Sequence, residues 1–338
     1  MAESNKFSQD RSPGERFQTA AFFFKRAALD LISPNRFGVS TEYHPGKSPV
    51  GASTPYVLDY SAKGMLSRYD MRLDSNGIAM IRHYIHQGDG YYHSPVKIAH
   101  FGLACLNDAL AGRPFGTLAQ YRTHLDWLIA NYTEEFGGVV WRVPSSAPKY
   151  ELAFNYVSAI SQGLALSLLA RTEEGRVRAR AAELSESALA PLRVTVADGG
   201  LLATGKWGPC YEEYPTIPFG HVVNGFVFCL NGLFDCYSAF GLLGAKELFD
   251  SGLQTLREMT KVWFVRGWAR YDLRDLYSGS LPNLATRHYQ YLHSDQMKGL
   301  AVVTGDVFWA HLARRFERQA MNPAGIAYSY YCKARKFL

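Results

Sequence analysis

The sequence predicts a mainly α-helical protein: an (α/α) toroid or barrel of about four helical hairpins, preceded by a small irregular, partly β segment. Three observations predict it. Four segments are apolar on nearly every face: Val96–Leu110, Val157–Arg171, His221–Phe240 and His293–Val303. Each is followed by a more charged segment with a wide apolar stripe and a polar back: Leu118–Tyr132, Arg176–Leu192, Lys246–Val262 and Val307–Met321. Successive apolar segments start about 60 to 70 residues apart, room for one helical hairpin and one long loop per repeat.

The first of each pair is expected inside and the second outside, with the long loops converging at one end. A glycine recurs near the middle of the inner segments, at Gly102, Gly163, Gly225 and Gly299. Glycine costs about 1 kcal/mol relative to alanine inside a helix, so four of them imply close helix packing. A bundle of the same eight helices in another topology is the alternative.

With 338 residues, 47% hydrophobic and 20% charged, the chain can bury a sizeable core. An aromatic content of 14% leans toward flat ligands such as sugars, although helical cores also use many aromatics. A net charge of +6 would attract an anionic partner. No basic run or nucleic-acid-binding motif is present, so nucleic acid is not the expected partner.

Five cysteines (Cys105, Cys210, Cys229, Cys236 and Cys332) are odd in number and lie mostly in apolar patterns, as small buried hydrophobes do. No C-x-x-C pair suggests zinc. The start is polar, and Ala20–Phe24 is too short and too soon followed by Lys25-Arg26 to be a signal or a membrane span. A cytoplasmic, reducing location is the expectation.

In chain order, residues 1 to about 20 are polar, and Phe22–Leu31 reads as a short helix ending before Ser33-Pro34. Residues 35–94 are rich in Gly, Pro, Ser and Tyr, with Pro55–Asp59 and Gly77–Arg82 suited to strands or extended loops. The division expected is therefore 1–94 as an N-terminal helix plus irregular segment, and 95–338 as the helical domain.

The candidate site centres on Tyr271–His293, which carries Tyr271, Arg274, Tyr277, Arg287, His288, Tyr289, Tyr291 and His293 without a period of 3.6 or 2. Tyrosine alone would suit a core. Two arginines and two histidines argue for a functional loop, because buried charge is costly unless paired.

Tyr211–Thr216 (Y-E-E-Y-P-T) precedes the third inner helix, so Glu212, Glu213 and Tyr214 are expected on the same rim, as a proton-transfer network or as a solvated turn broken by Pro215. Arg274 offers a fork for a carboxylate, or an ion pair with Asp272 or Asp275. His293 opens the fourth inner helix, as a cap, core or site residue. Pro282 and Asn283 read as turn formers, and Arg287 as a second rim cation. Asp59, Asp70, Asp74, Asn76 and Asp89 do not follow the EF-hand spacing and read as polar loop residues. No G-x-S-x-G, H-E-x-x-H, dinucleotide or Walker motif is present.

Taken together, Y-E-E-Y-P-T, then H-V-V-N-G-F-V-F-C-L-N-G-L-F-D, then Y-D-L-R, then P-N-L-A with a tyrosine and a histidine downstream, resemble the C-terminal domain of D-glucuronyl C5-epimerases. These enzymes act on heparosan or N-sulfated heparosan. The resemblance extends back through Y-V-S-A-I-S-Q-G-L-A-L-S-L-L-A-R and covers roughly residues 90–305.

It implies an (α/α) barrel with β structure N-terminal to it, and proton transfer by Glu213, Tyr214, Tyr271 and Tyr289. Arg274 would hold the uronate carboxylate, with His293 or Arg287 in support and Glu212 and Asn283 as further substrate-binding residues. It implies no cofactor, with a structural calcium left open, and a homodimer. Asp275 and Thr286-Arg287-His288 depart from the vertebrate pattern, which bears on the sulfation of the substrate.

The chemistry fits those residue types. The C5 hydrogen of glucuronate is α to a carboxylate, so its removal leaves an enolate-like dianion that needs positive charge and donors around it. Inversion needs one group to take the proton on one face and another to return it on the other. The expected activity is an isomerase converting D-glucuronate to L-iduronate within a polysaccharide. A lyase acting on a uronic-acid polymer and a non-catalytic acidic-glycan-binding protein are the alternatives.

Overall fold

The computed structural model describes residues 37–40, 43–44, 49–82, 90–173 and 175–337, with Ala28 and Ile32 as isolated positions. The expected helix at Phe22–Leu31 lies almost wholly outside the described residues, and so does Asp89.

The chain is mainly helical. α1 (Ala62–Arg68) is capped by Ser61, whose hydroxyl accepts from the Gly64 amide. It leads into a small antiparallel sheet of β1 (Met71–Leu73), β2 (Ala79–Arg82) and β3 (Tyr91–Tyr92), with Met71 opposite Ile81 and Ile81 opposite Tyr92. In the β1–β2 turn the Asp74 carboxylate accepts from the amides of Asn76 and Ile78, the local bonding that makes Asp a turn residue. Asp59 pairs with Arg113, and Asp70 accepts from Tyr91, so these acids serve loops as expected.

Four helical hairpins follow: α2 (Pro95–Leu110) with α3 (Leu118–Ala130), α4 (Ala159–Leu169) with α5 (Arg176–Ser187), α6 (Val223–Phe240) with α7 (Leu243–Met259), and, after the short α8 (Asp275–Ser278), α9 (Arg287–Thr304) with α10 (Val307–Ala320). A last helix, α11 (Pro323–Phe337), was not expected. The small-residue helices pack in chain order, α2 on α4, α4 on α6 and α6 on α9. At the α4–α6 crossing a Cβ on Gly163 would meet the Cys229 Cα at 2.4 Å, so glycine is there for close packing, as predicted.

Each inner helix after α2 is preceded by a two-stranded ribbon: β4–β5 (Thr133–Glu135, Gly138–Val140), β6–β7 (Leu202–Gly205, Gly208–Tyr211) and β8–β9 (Phe264–Val265, Trp268–Ala269). The first and third turn through Phe136-Gly137 and Arg266-Gly267, residue pairs with φ of 55° and 74°, and 48° and 77°. Those angles match the twist of tight antiparallel hairpins.

The described residues of 37–60 lie against both α9 and α2. The Asp295 carboxylate on α9 accepts from the Phe37 and Gly38 amides, while Asn107 on α2 accepts from the Tyr56 amide and donates to the Leu58 carbonyl. The fully buried pair of Arg171 and Asp235 also donates from its guanidinium to the Thr54 and Pro55 carbonyls. Buried residues of 43–79 join those of the helices in one core.

Two expectations need correction. The stretch Tyr271–His293 is not one loop: α9 begins at Arg287, capped by the Thr286 hydroxyl, so His288, Tyr289, Tyr291 and His293 are helical and His293 lies in the second turn. No period showed because this helix is buried on most sides, leaving no polar face to alternate with an apolar one. The glycines also do not share one cause, since Gly225 faces the Glu213 side chain and Gly299 faces Val57. The five cysteines are free, and four of them are buried. No helix among the described residues is long and apolar enough to cross a membrane.

Candidate active site

The site is built where β7 ends. The Glu212 amide donates to Leu201 and its carbonyl accepts from Ala159 at the start of α4, while the Ser158 hydroxyl donates to the Glu213 carbonyl at 2.6 Å. This pins the backbone of two consecutive glutamates whose side chains go to different places. Glu213 lies against Gly225 on α6, where a Cβ would sit 2.3 Å from its Oε2, and it accepts from Asn224 Nδ2 at 3.2 Å. Only glycine at 225 leaves room for that carboxylate.

A cleft of about 250 Å³ opens there. Glu213, Tyr214, Tyr271 and Tyr289 all line it, so the structure brings together residues that stand up to 76 positions apart, from 213 to 289. Tyr271 reaches the cleft because its amide donates to Asn283 and its carbonyl lies near the start of α6. Its ring meets that of Tyr289, on the first turn of α9, edge-on at 4.7 Å. Tyr214 is stacked flat on Tyr150 at 4.1 Å.

Burial raises the Glu213 carboxyl to about 7, against the opposing pull of the Tyr214 hydrogen bond and of Lys97. Burial also pushes the Tyr271 and Tyr214 phenols well above their usual range, and the Glu213 charge adds to this in both. The cleft therefore holds one carboxyl poised to change charge near neutral pH, surrounded by phenols that keep their protons. This is the division of labour a base and an acid require.

The other residues singled out in the sequence lie elsewhere. Glu212 is fully buried and turned away from the cleft: its carboxylate accepts from the His221 amide and bonds His221 Nδ1 at 2.5 Å, and His221 Nε2 bonds the Tyr277 hydroxyl at 2.8 Å. Asn283 donates to Asp272, which also accepts from Tyr150 and Lys149. Burial opposes the charge on Asp272, but Lys149 and these hydrogen bonds together hold its carboxyl below the usual range.

Arg274 bonds the Glu151 carboxylate at 2.9 Å and the Lys149 carbonyl, outside the cleft lining. The ion pair weighed for it exists, but with Glu151; Asp275 is taken by Arg270 and Asp272 by Lys149. Arg287 donates to the Ala320 carbonyl at the end of α10. His293 is fully buried among Trp263, Phe316 and Tyr289, and burial drives its imidazole down to about 3, so it is a neutral core residue.

The cleft also contains His288 on α9, named in the candidate stretch, and polar residues that were not singled out: Lys97 and His100 on α2 and Asn224 on α6. A usable signal existed, since Lys97 and His100 are polar side chains in the first two turns of a largely apolar segment. Away from the cleft, Cys210, Glu212 and His221 bring a thiol, a carboxylate and an imidazole within 4.8 Å of one another, a donor set able to hold a metal. In the structure Glu212 and His221 are bonded to each other.

The chain is 27% identical over 315 residues to a D-glucuronyl C5-epimerase from Caenorhabditis elegans, a match covering 86% of this chain and 49% of that protein. The chain thus spans about half the length of this relative. A solved double mutant of Rex8A from Paenibacillus barcinonensis covers 99% of this chain and 94% of its own at 13% identity, but a TM-score of 0.41 is too low to bear on the fold. The family model for the D-glucuronyl C5-epimerase C-terminus matches residues 136–318, from the first β-ribbon to the end of α10, and the chain belongs to that family.

Proposed function

We propose that the protein is a D-glucuronyl C5-epimerase that converts D-glucuronate to L-iduronate within a heparosan-type polysaccharide, and that its four hairpins form an (α/α) toroid around the cleft. The observation that carries the reading is the single cleft lined by Glu213, with its raised carboxyl, by the phenols of Tyr214 and Tyr271, which burial holds protonated, and by Tyr289. Family membership and the relative's name support the same chemistry.

In this reading the Glu213 carboxylate takes the C5 proton, leaving the uronate as an enolate-like dianion. A phenol of the Tyr271–Tyr289 pair returns a proton to C5 on the opposite face, and Tyr214 donates a hydrogen bond beside Glu213. Both groups are reset by exchange with solvent, so solvent hydrogen enters at C5. The step is redox-neutral and needs no hydride carrier.

The test is incubation with heparosan and with N-sulfated heparosan in D₂O, followed by NMR. Deuterium at C5 together with iduronate signals is the expected result. An unsaturated uronate would instead mark a lyase, and folded protein that exchanges nothing on either polymer would overturn the assignment.

A further inference from the structure

Lys97 and His100 lie three residues apart on α2, a spacing that puts two side chains on the same helical face, and both line the cleft. His100 is 6% exposed, and among the described residues neither of its ring nitrogens has a hydrogen-bond partner. Among the described residues its ring meets aromatic edges, Tyr60 at 5.0 Å and Phe228 at 4.9 Å. Buried polar groups are almost always bonded, so two orphaned nitrogens facing a cavity point to a partner that arrives with the ligand.

The Lys97 ammonium sits over the Tyr69 ring at 4.0 Å, and its positive charge is felt at Glu213. Among the described residues no arginine lines the cleft. The Arg274 fork expected to grip the substrate is directed at Glu151 and the Lys149 carbonyl instead.

We propose that α2 carries the substrate-recognition face of this cleft, with Lys97 holding the uronate carboxylate and His100 hydrogen-bonding a hydroxyl or amide of the sugar. The proposal rests on the epimerase reading above and deepens it. Burial and the neighbouring Lys97 charge keep the His100 imidazole neutral, so it offers one donor and one acceptor, the pair that a sugar hydroxyl can satisfy in both directions. A cation on the carboxylate is also where the dianion formed at C5 places its new charge.

The experiment is titration of the folded protein with a heparosan oligosaccharide and with its carboxyl-reduced counterpart, in which glucuronate has become glucose. Wild type is expected to favour the native oligosaccharide, and Lys97→Met to lose that preference through a drop of roughly 10-fold or more in native affinity, with the reduced sugar unaffected. Arg274→Met is expected to keep it. Preference retained in Lys97→Met, or lost in Arg274→Met, overturns the lysine assignment.

His100→Leu is expected to weaken both oligosaccharides while raising the thermal midpoint, because it removes a buried polar group without a partner. A lower midpoint with unchanged binding would make His100 structural and overturn its assignment. No preference in the wild type, with C5 exchange still observed, overturns the carboxylate site alone; no preference together with no exchange overturns the epimerase reading and the site with it.

Discussion

Glu212 and Glu213 are neighbours in the chain, both are buried, and they end in opposite circumstances. Glu212 faces a knot in which bonds are made: His221 on its carboxylate, Tyr277 on His221, and nearby Asp272 gathering Lys149, Tyr150 and Asn283. Glu213 faces a cleft where bonds are left unmade: among the described residues His100 has no partner on either nitrogen and Asn224 none on its oxygen, and burial holds the Glu213 carboxyl up at about 7. The same residue types occur on both sides. What separates the surroundings of the two glutamates is whether the polar groups facing them are satisfied within the protein.

The contrast can be broken most decisively at Glu213. Glu213→Gln is expected to slow C5 deuterium exchange by about 10³-fold, within the usual range for losing a proton-transfer group. The same change should stabilise the protein at pH 8. Folding raises this carboxyl from 4.5 to about 7, so the native state holds the proton more tightly and wild-type stability falls as pH rises between those values. The uncharged glutamine escapes a penalty of about 3 kcal/mol above pH 7 and gains nothing below 4.5, which thermal melts at pH 8 and pH 4 would show. Equal melting of the two proteins at pH 8 would mean that the carboxylate is not destabilised there.

Tyr271→Phe and Tyr289→Phe come next, each expected to reduce exchange by about 10²-fold with little change in melting. Full activity in both would remove the phenol pair from the proposed reaction. On the satisfied side, Asp272→Ala leaves Tyr150, Lys149 and Asn283 without their shared acceptor, and chemical denaturation should register a loss of about 3 kcal/mol. Unchanged stability with lost exchange would move Asp272 into the machinery.

Gly225→Ala, which in an ordinary helix would stabilise, should displace Glu213 and slow exchange by roughly 10-fold or more, since its Cβ would fall 2.3 Å from Oε2. Arg274→Met should cost least, under about 1 kcal/mol, because the Glu151 partner is 77% exposed.

How far the sequence reached differs from one element to the next. The eight hairpin helices were legible because an apolar segment followed by an amphipathic one recurs, and a helix with a polar back announces itself in any sequence. The start of α9 was not, because Arg287, His288 and Tyr289 enter a helix with no solvent face to set a period. The β-ribbons were missed although Phe136-Gly137 and Arg266-Gly267 are turn signals, their strands being too short to alternate. Glu213, Tyr214, Tyr271 and Tyr289 stood in the two stretches that residue type had marked, but their grouping as the proton-transfer set came from a resemblance and not from their spacing. Arg274 was placed in the site by residue type and by the same resemblance, and His293 by residue type, and neither signal says which way a side chain faces.

By itself, then, the sequence determined the eight hairpin helices, their pairing and the burial of four of the five cysteines, because these follow from periodicity and hydrophobicity, which are local. Tertiary structure decided which polar groups meet inside. Whether Glu212 or Glu213 reaches the cleft depends on Gly225 and His221, and whether His100 or His293 faces a cavity depends on helices far away in the chain. The physical reason is that a buried polar group takes its charge and its role from partners brought close by folding.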